Sequence, residues 1–188
     1  MRKEPGILMK KDEEEMFVNA VRGVVFYFEW GAGGSTFRAC KNGAGKVVSV
    51  ESQKMWIDEV KQYEAIKIHP DITFHHIDIN AGESMGRPND NKKKDNFPLY
   101  SSVIDKYDNI DVALVDGRFR LACACKAVIK GVQSILIHDF TSRTHYHDIL
   151  QYVEIMSQTG TLVEVRPKDD FDKNALNALY ESSKYDYR

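Results

Sequence analysis

The stretch "GVVFYFEWGAGGSTFRACKNGAGKVVSVES", residues 23 to 52, decides the fold. An apolar run ends in Glu29 and Trp30, and glycines at 31, 33 and 34 follow directly. Ser35-Thr36 then opens a short helical pattern, "TFRACK", before a second apolar run that ends in Glu51. Strand, glycine turn, helix and strand in this order make the first unit of a parallel sheet. Glycine lets the backbone approach a ligand without a Cβ, and the unpaired N–H groups and dipole of a helix start attract an anion. Glu51, about 20 residues beyond the first glycine, stands where nucleotide folds keep the carboxylate that accepts from ribose hydroxyls.

The same alternation continues along the chain. Runs of strand length recur at 46–52, 72–79, 110–117, 134–140 and 161–167, rich in Val, Ile and Phe. Helical patterns lie between them at 53–66, 119–131 and 143–160, the last two closing on glycines suited to helix C-caps. The expected architecture is α/β: a Rossmann-like, doubly wound, mostly parallel sheet with helices on both faces. Several strands are apolar nearly throughout, as such burial requires. Residues 1–188 read as a single domain with an N-terminal extension at 1–14 and a C-terminal helix and tail at 168–188. The polar segment 81–102, with two prolines and Lys92, Lys93 and Lys94, reads as a long loop leaving the carboxyl side of the third strand, placed to act as a lid or to bind substrate.

Composition narrows the partners. The chain has 188 residues, 43% hydrophobic and 29% charged, with a formal net charge of −2, so no overall basic field gathers nucleic acid. A small or neutral substrate fits better. Three cysteines, two of them spaced C-x-C, match neither a disulfide framework nor a zinc knuckle, and they point to a reducing compartment. No run has signal-peptide character or reaches the roughly 20 apolar residues of a membrane span, so the expected location is the cytoplasm, away from membranes. The sequence gives no oligomeric state.

Two cofactor classes share the glycine arrangement. A dinucleotide site prefers a third glycine or alanine where this chain has Thr36, and a pyrophosphate gains nothing from an anionic Glu29 beside the turn. S-adenosylmethionine instead carries an ammonium for a carboxylate such as Glu29 and a carboxylate for the helix N–H groups. A P-loop in "NGAGKVV" (42–48) is excluded, because Val47 follows Lys46 where a Ser or Thr must bind magnesium.

"EWGAGGST" (29–36) with "VVSVES" (47–52), "HHIDI" (75–79), "VDGRFRLACACKA" (115–127) and "ILIHDF" (135–140) resembles the class I S-adenosylmethionine-dependent methyltransferases over roughly residues 15 to 167. The combination of the turn, "VDGRFR" and "IHDF" is most similar to polysaccharide and sugar O-methyltransferases, including the glucuronoxylan and viral glycan enzymes. The resemblance implies transfer of a methyl group to a carbohydrate hydroxyl. It implies that Glu29, Gly31, Ala32, Gly33, Gly34, Ser35 and Thr36 hold the methionine portion, that Glu51 with Ser52 holds the ribose, and that Asp78 and Ile79 flank the adenine. A nicotinamide-dependent oxidoreductase and a phenol-type O-methyltransferase are the alternatives. One departure stands out: only one strand is evident after residue 140, where the superfamily ends in an antiparallel pair.

Asp116, His138 and Asp139 close the fourth and fifth strands at the edge where the methyl group would lie. Asp116 is the first choice for proton acceptor, substrate anchor or contact to the cofactor; the plainer reading is a cap for the helix near Phe119. His138 and Asp139 are strand neighbours, so one side chain faces away unless the strand end unwinds. Asp139 is favoured, with His138 either catalytic or a buried structural histidine. The two aspartates can share a divalent cation, Mg or Mn. Arg118 can bind a carboxylate or a sugar's hydroxyl fork, whereas Arg120 reads as a surface ion pair. His145 and His147, on a helix, diverge by about 200° and cannot chelate one ion. Met55, Trp56 and Val60, at helical spacing, read as core.

Overall fold

The computed structural model describes residues 3–82 and 85–188. Met1 and Arg2 of the expected extension, and Glu83 and Ser84 of the expected loop, lie outside the described residues.

The strands are β1 (Phe26–Trp30), β2 (Lys46–Glu51), β3 (Ile72–His76), β4 (Val112–Val115), β5 (Ser134–Ile137), β6 (Val153–Thr159) and β7 (Leu162–Pro167). Among the described residues they form one sheet in the order β3-β2-β1-β4-β5-β7-β6. The first five are parallel, and β7 runs antiparallel to both β5 and β6. Strand order reverses between β1 and β4, so a crevice opens at their carboxyl ends.

Alternation along the strands divides the core in two. Phe28, Trp30, Val48, Val50, Val115 and Ile137 pack on one face with helices α5 (Phe97–Ser102), α6 (Arg120–Ile129) and α7 (Lys173–Ser183). Tyr27, Val47, Val112, Leu114 and Leu136 pack on the other with α1 (Lys11–Val21), α2 (Gly34–Lys41), α3 (Lys54–Val60) and α4 (Glu64–Lys67). Each such side chain contributes about 1.5–3 kcal/mol by leaving water. Both faces are covered, as continuous apolar strands require.

Four expectations change. The helix expected at 143–160 is a 3-10 turn, Thr144–Gln151, followed by β6. Gly160, with φ +55°, turns the β6–β7 hairpin instead of capping a helix. Pairing with β7 satisfies the backbone that a helix would otherwise have satisfied, and it supplies the missing antiparallel pair. The 81–102 segment is not loop to its end. Its last six residues are α5, because Phe97 and Tyr100 bury themselves in the core. The N-terminal extension is shorter than expected, since α1 begins at Lys11 and buries Glu13 and Phe17. Finally, only Val60 of the expected core trio is buried; Met55 is 73% and Trp56 44% exposed, and both line the crevice. No described helix is long and apolar enough to cross a membrane.

Candidate active site

The crevice holds about 860 Å³. Its floor is a backbone contact between two glycines. Gly31 has φ +101°, and a Cβ there would stand 3.1 Å from the Asp116 carbonyl carbon and the Gly117 nitrogen. A Cβ on Gly117 would collide with the Tyr100 hydroxyl and approach the Gly31 nitrogen to 3.0 Å. The ends of β1 and β4 therefore close on one another only as glycines.

Beyond Gly31 the turn is held from within. The Gly33 N–H donates to Thr36 Oγ1 at 2.9 Å, and the Ala32 N–H donates to Glu51 Oε2 at 3.1 Å. Helix geometry leaves the first-turn N–H groups of α2 without intrahelical acceptors, and Gly34 and Ser35 of that turn line the crevice. The N-terminal segment crosses here: Gly6 and Ile7 pack so closely on Gly34 that a Cβ would strike them.

Glu29 is not on the crevice wall. Its β1 position points it to the α1–α2 face, where it is fully buried. It accepts from Tyr27 Oη at 2.8 Å, from Ser35 Oγ at 2.7 Å and from Thr36 Oγ1. Burial pushes its pKa up to about 7 against the pull of those hydroxyls. Glu29 thus ties the start of α2 to the sheet, in place of the expected contact to an ammonium, and Thr36 belongs to the same buried tie. The structure likewise leaves Asp78 and Ile79 off the wall. Asp78 is paired outward with Lys93, and Ile79 is fully buried in the core.

Glu51 does reach the crevice. Its Oε1 accepts from the N–H groups of Ser52 (2.6 Å) and Gln53 (2.8 Å) and from Ser52 Oγ (3.0 Å). Burial raises its pKa despite these donors. Trp56 Nε1 donates to the Ala32 carbonyl beside it. Gly31, Ala32, Gly33, Gly34, Ser35, Glu51, Ser52 and Asp116 all share this wall.

The opposite end gathers the candidate catalytic groups Asp116, Arg118, His138 and Asp139. Strand β5 ends at Ile137, and Asp139 takes a left-handed backbone with φ +59°. That unwinding brings both His138 and Asp139 to the crevice, where regular strand geometry would have admitted one. His138 Nδ1 lies 3.0 Å from Asp116 Oδ1, and its Nε2 lies 3.7 Å from Glu13 Oε2 of α1. Burial opposes protonation of His138, but the hydrogen bond and charge of Asp116, with Asp139, hold its pKa above the ordinary histidine value. Asp116 is not a helix cap, since α6 starts at Arg120 without a side-chain cap.

Arg120 is the residue that sequence reasoning misjudged. It is 5% exposed, donates from Nη1 to Asp139 Oδ2 at 2.9 Å, and forms an ion pair from Nη2 to Asp116 Oδ1 at 2.9 Å while Nη2 donates to the Asp116 carbonyl at 3.2 Å. It also donates to the carbonyls of Gly117 and His138. Arg143 Nη2 pairs with the same Asp139 oxygen, Oδ2, at 2.9 Å. The i,i+4 spacings 116–120 and 139–143 were the available signal; Glu13 left none. Phe119, between Arg118 and Arg120, has φ +55°, a conformation costly for a bulky residue, so the surrounding packing must hold this turn.

This arrangement bears on the expected cation. Ligand atoms of Asp116, His138 and Asp139 lie within 4.8 Å of one another, near enough for one ion. The Arg120 guanidinium, however, already bridges the two carboxylates, and Arg143 pairs with Asp139 as well. The three residues do not fit Mg or Mn unless that guanidinium leaves.

The fold, with its antiparallel β7 between β5 and β6, superposes on a group of solved structures. A methyltransferase-like protein from Silicibacter pomeroyi superposes with a TM-score of 0.83 over 98% of this chain and 99% of its own, at 24% identity. The fold is that of the methyltransferases. An O-methyltransferase from Bacillus cereus, solved with SAH, gives 0.58 over 88% of this chain and 84% of its own, at 11% identity. An rRNA methylase from Streptococcus thermophilus gives 0.53 over 86% and 99%, at 11% identity. No protein-family model matches the chain, and no curated protein does. Within the methyltransferase fold, the glycine turn, Glu51 and the Asp116–His138 pair fall at the carboxyl edge of the sheet, in one crevice.

Proposed function

We propose that the chain is an S-adenosylmethionine-dependent O-methyltransferase that modifies a carbohydrate hydroxyl, in a reducing, cytoplasmic setting that suits its three buried thiols. The observation that carries the reading is Glu51, held by backbone donors on the crevice wall beside the start of α2. A carboxylate so placed accepts from a ribose diol, while the N–H groups of Gly34 and Ser35 receive the methionine carboxylate. The cofactor, when bound, supplies an activated methyl group and its own leaving group. The protein aligns the acceptor oxygen and removes its proton. Asp116 accepts the hydrogen bond of that hydroxyl, and His138, in its neutral form, takes the proton through Asp116. Arg120 fixes the carboxylate. The carbohydrate assignment is supported by the resemblance of the turn, "VDGRFR" and "IHDF" segments, and by a polar acceptor end built from Asp116, Arg118, His138, Asp139 and Arg143.

Calorimetry with S-adenosylhomocysteine and NAD in parallel tests the cofactor, and methyl-donor turnover across sugars, glycans, phenols and RNA tests the acceptor. Binding of NAD alone sinks the reading. Replacing Glu51 by Ala is expected to weaken S-adenosylhomocysteine by about 1–3 kcal/mol, the loss of charge-assisted hydrogen bonds. An unchanged dissociation constant removes Glu51 from the ribose.

Because Arg120 and Arg143 pair with both aspartates, turnover is expected to be indifferent to EDTA and to added Mg or Mn. Loss with EDTA and recovery with either ion would show that the guanidinium yields to a metal.

A further inference from the structure

Arg118 is 7% exposed, on the crevice wall, and its Nη1 has no hydrogen-bond partner among the described residues. The other buried or bridging cations nearby are satisfied: Arg120 by Asp116 and Asp139, Arg143 by Asp139 and the Tyr146 hydroxyl. Both carboxylates at this end are therefore committed. Arg87 lines the same crevice and acts on Arg118 only as a second positive charge. The crevice wall carries four arginines (87, 118, 120, 143) against three carboxylates (51, 116, 139), an excess of one positive charge, and neither carboxylate at this end pairs with Arg118. Burial, then the charge of Arg120, weakens the hold of Arg118 on its proton. A buried guanidinium without a counter-charge is costly, and a neutral hydroxyl does not repair that cost, whereas a planar oxyanion does so with two parallel hydrogen bonds.

We infer that the acceptor carries an oxyanion, a carboxylate or a phosphate, and that Arg118 is its anchor, with Arg87 adding charge at the mouth. The word acceptor rests on the transferase reading above. The oxyanion site itself rests on Arg118. The methionine carboxylate of the cofactor is a poorer occupant, because the start of α2 already offers it N–H groups at Gly34 and Ser35.

The test is calorimetry on matched pairs, glucuronate against glucose and glucose 6-phosphate against glucose, with and without S-adenosylhomocysteine. At least one anionic member is expected to bind about 10- to 100-fold more tightly than glucose, and which one distinguishes carboxylate from phosphate. Arg118→Gln is expected to erase that preference while leaving S-adenosylhomocysteine affinity within about twofold. No preference in either pair, or a preference that survives Arg118→Gln, overturns the inference. So does loss of S-adenosylhomocysteine affinity in the variant by the same factor, which would assign Arg118 to the cofactor. If the variant does not fold, the arginine Nε–H resonance of Arg118 in the wild-type protein decides: it must shift saturably with an anionic probe and not with glucose. Failure of S-adenosylhomocysteine to bind the wild type, with the anion preference intact, would sink the transferase reading and leave the oxyanion site standing.

Discussion

Asp116→Asn is expected to lower turnover by about 10²- to 10⁴-fold at saturating donor, the usual contribution of a positioned proton acceptor. An amide in this position keeps a carbonyl for the acceptor hydroxyl and for Arg120, but it cannot pass a proton to His138. The donor's affinity should change far less than the rate. A second readout follows from the pair's electrostatics. In the wild type, Asp116 helps hold His138 above the ordinary histidine pKa, so activity requires the pH to rise beyond that raised value before His138 is neutral. In the variant, burial of His138 is left with less opposition and its pKa falls. The His138 imidazole of Asp116→Asn should therefore titrate at a lower pH than in the wild type. An NMR pH titration of the His138 ring in both proteins checks this. A variant that turns over at the wild-type rate would reduce Asp116 to a structural partner of Arg120.

Glu29→Ala should cost the apo protein about 3–5 kcal/mol, because it strands the buried hydroxyls of Tyr27, Ser35 and Thr36 and leaves a cavity. In a chain of this size that is a fall in Tm of roughly 10 °C. The pH dependence separates the charge from the hydrogen bonds. The folded-state pKa of Glu29 is about 7 and the ordinary value is 4.5, so the native state holds this proton more tightly than the unfolded chain. The associated stability is fully present below pH 4.5, declines as the pH rises, and is gone above about 7. By linkage the decline is worth about 3 kcal/mol. Glu29→Gln, which cannot ionise, should flatten that part of the stability curve. Urea melts of wild type, Glu29→Gln and Glu29→Ala between pH 4.5 and 8 give all three numbers. An unchanged slope in the Gln variant would show that Glu29 ionises in the folded state as readily as in water.

The two residues differ in how they could be found. Asp116 was visible as an acid at the end of an apolar run, because strand period and the glycine behind it fix which edge of the sheet it reaches. Glu29 was visible in the same way but was assigned the wrong neighbour. Its position in the chain, just before the turn, does not say which face of β1 it occupies, and that face is set by whether residues 27 and 29 or 28 and 30 meet α1 and α2.

The sequence alone determined the alternation of strands and helices, the glycine turn, Glu51 at the end of β2 and the arrival of Asp116, Arg118, His138 and Asp139 at one edge. These follow from local periodicity, backbone freedom and the rule that parallel strands end together. Tertiary structure decided the rest. Residues 153–159 become a strand because β7 is beside them, although their spacing also suits a helix. His138 and Asp139 both enter the crevice because the chain unwinds at Asp139. Arg120 bridges two aspartates that lie 23 positions apart, and Glu13 reaches His138 from the far end of the chain. Such contacts depend on which surfaces the packing brings together, and no short-range pattern records that.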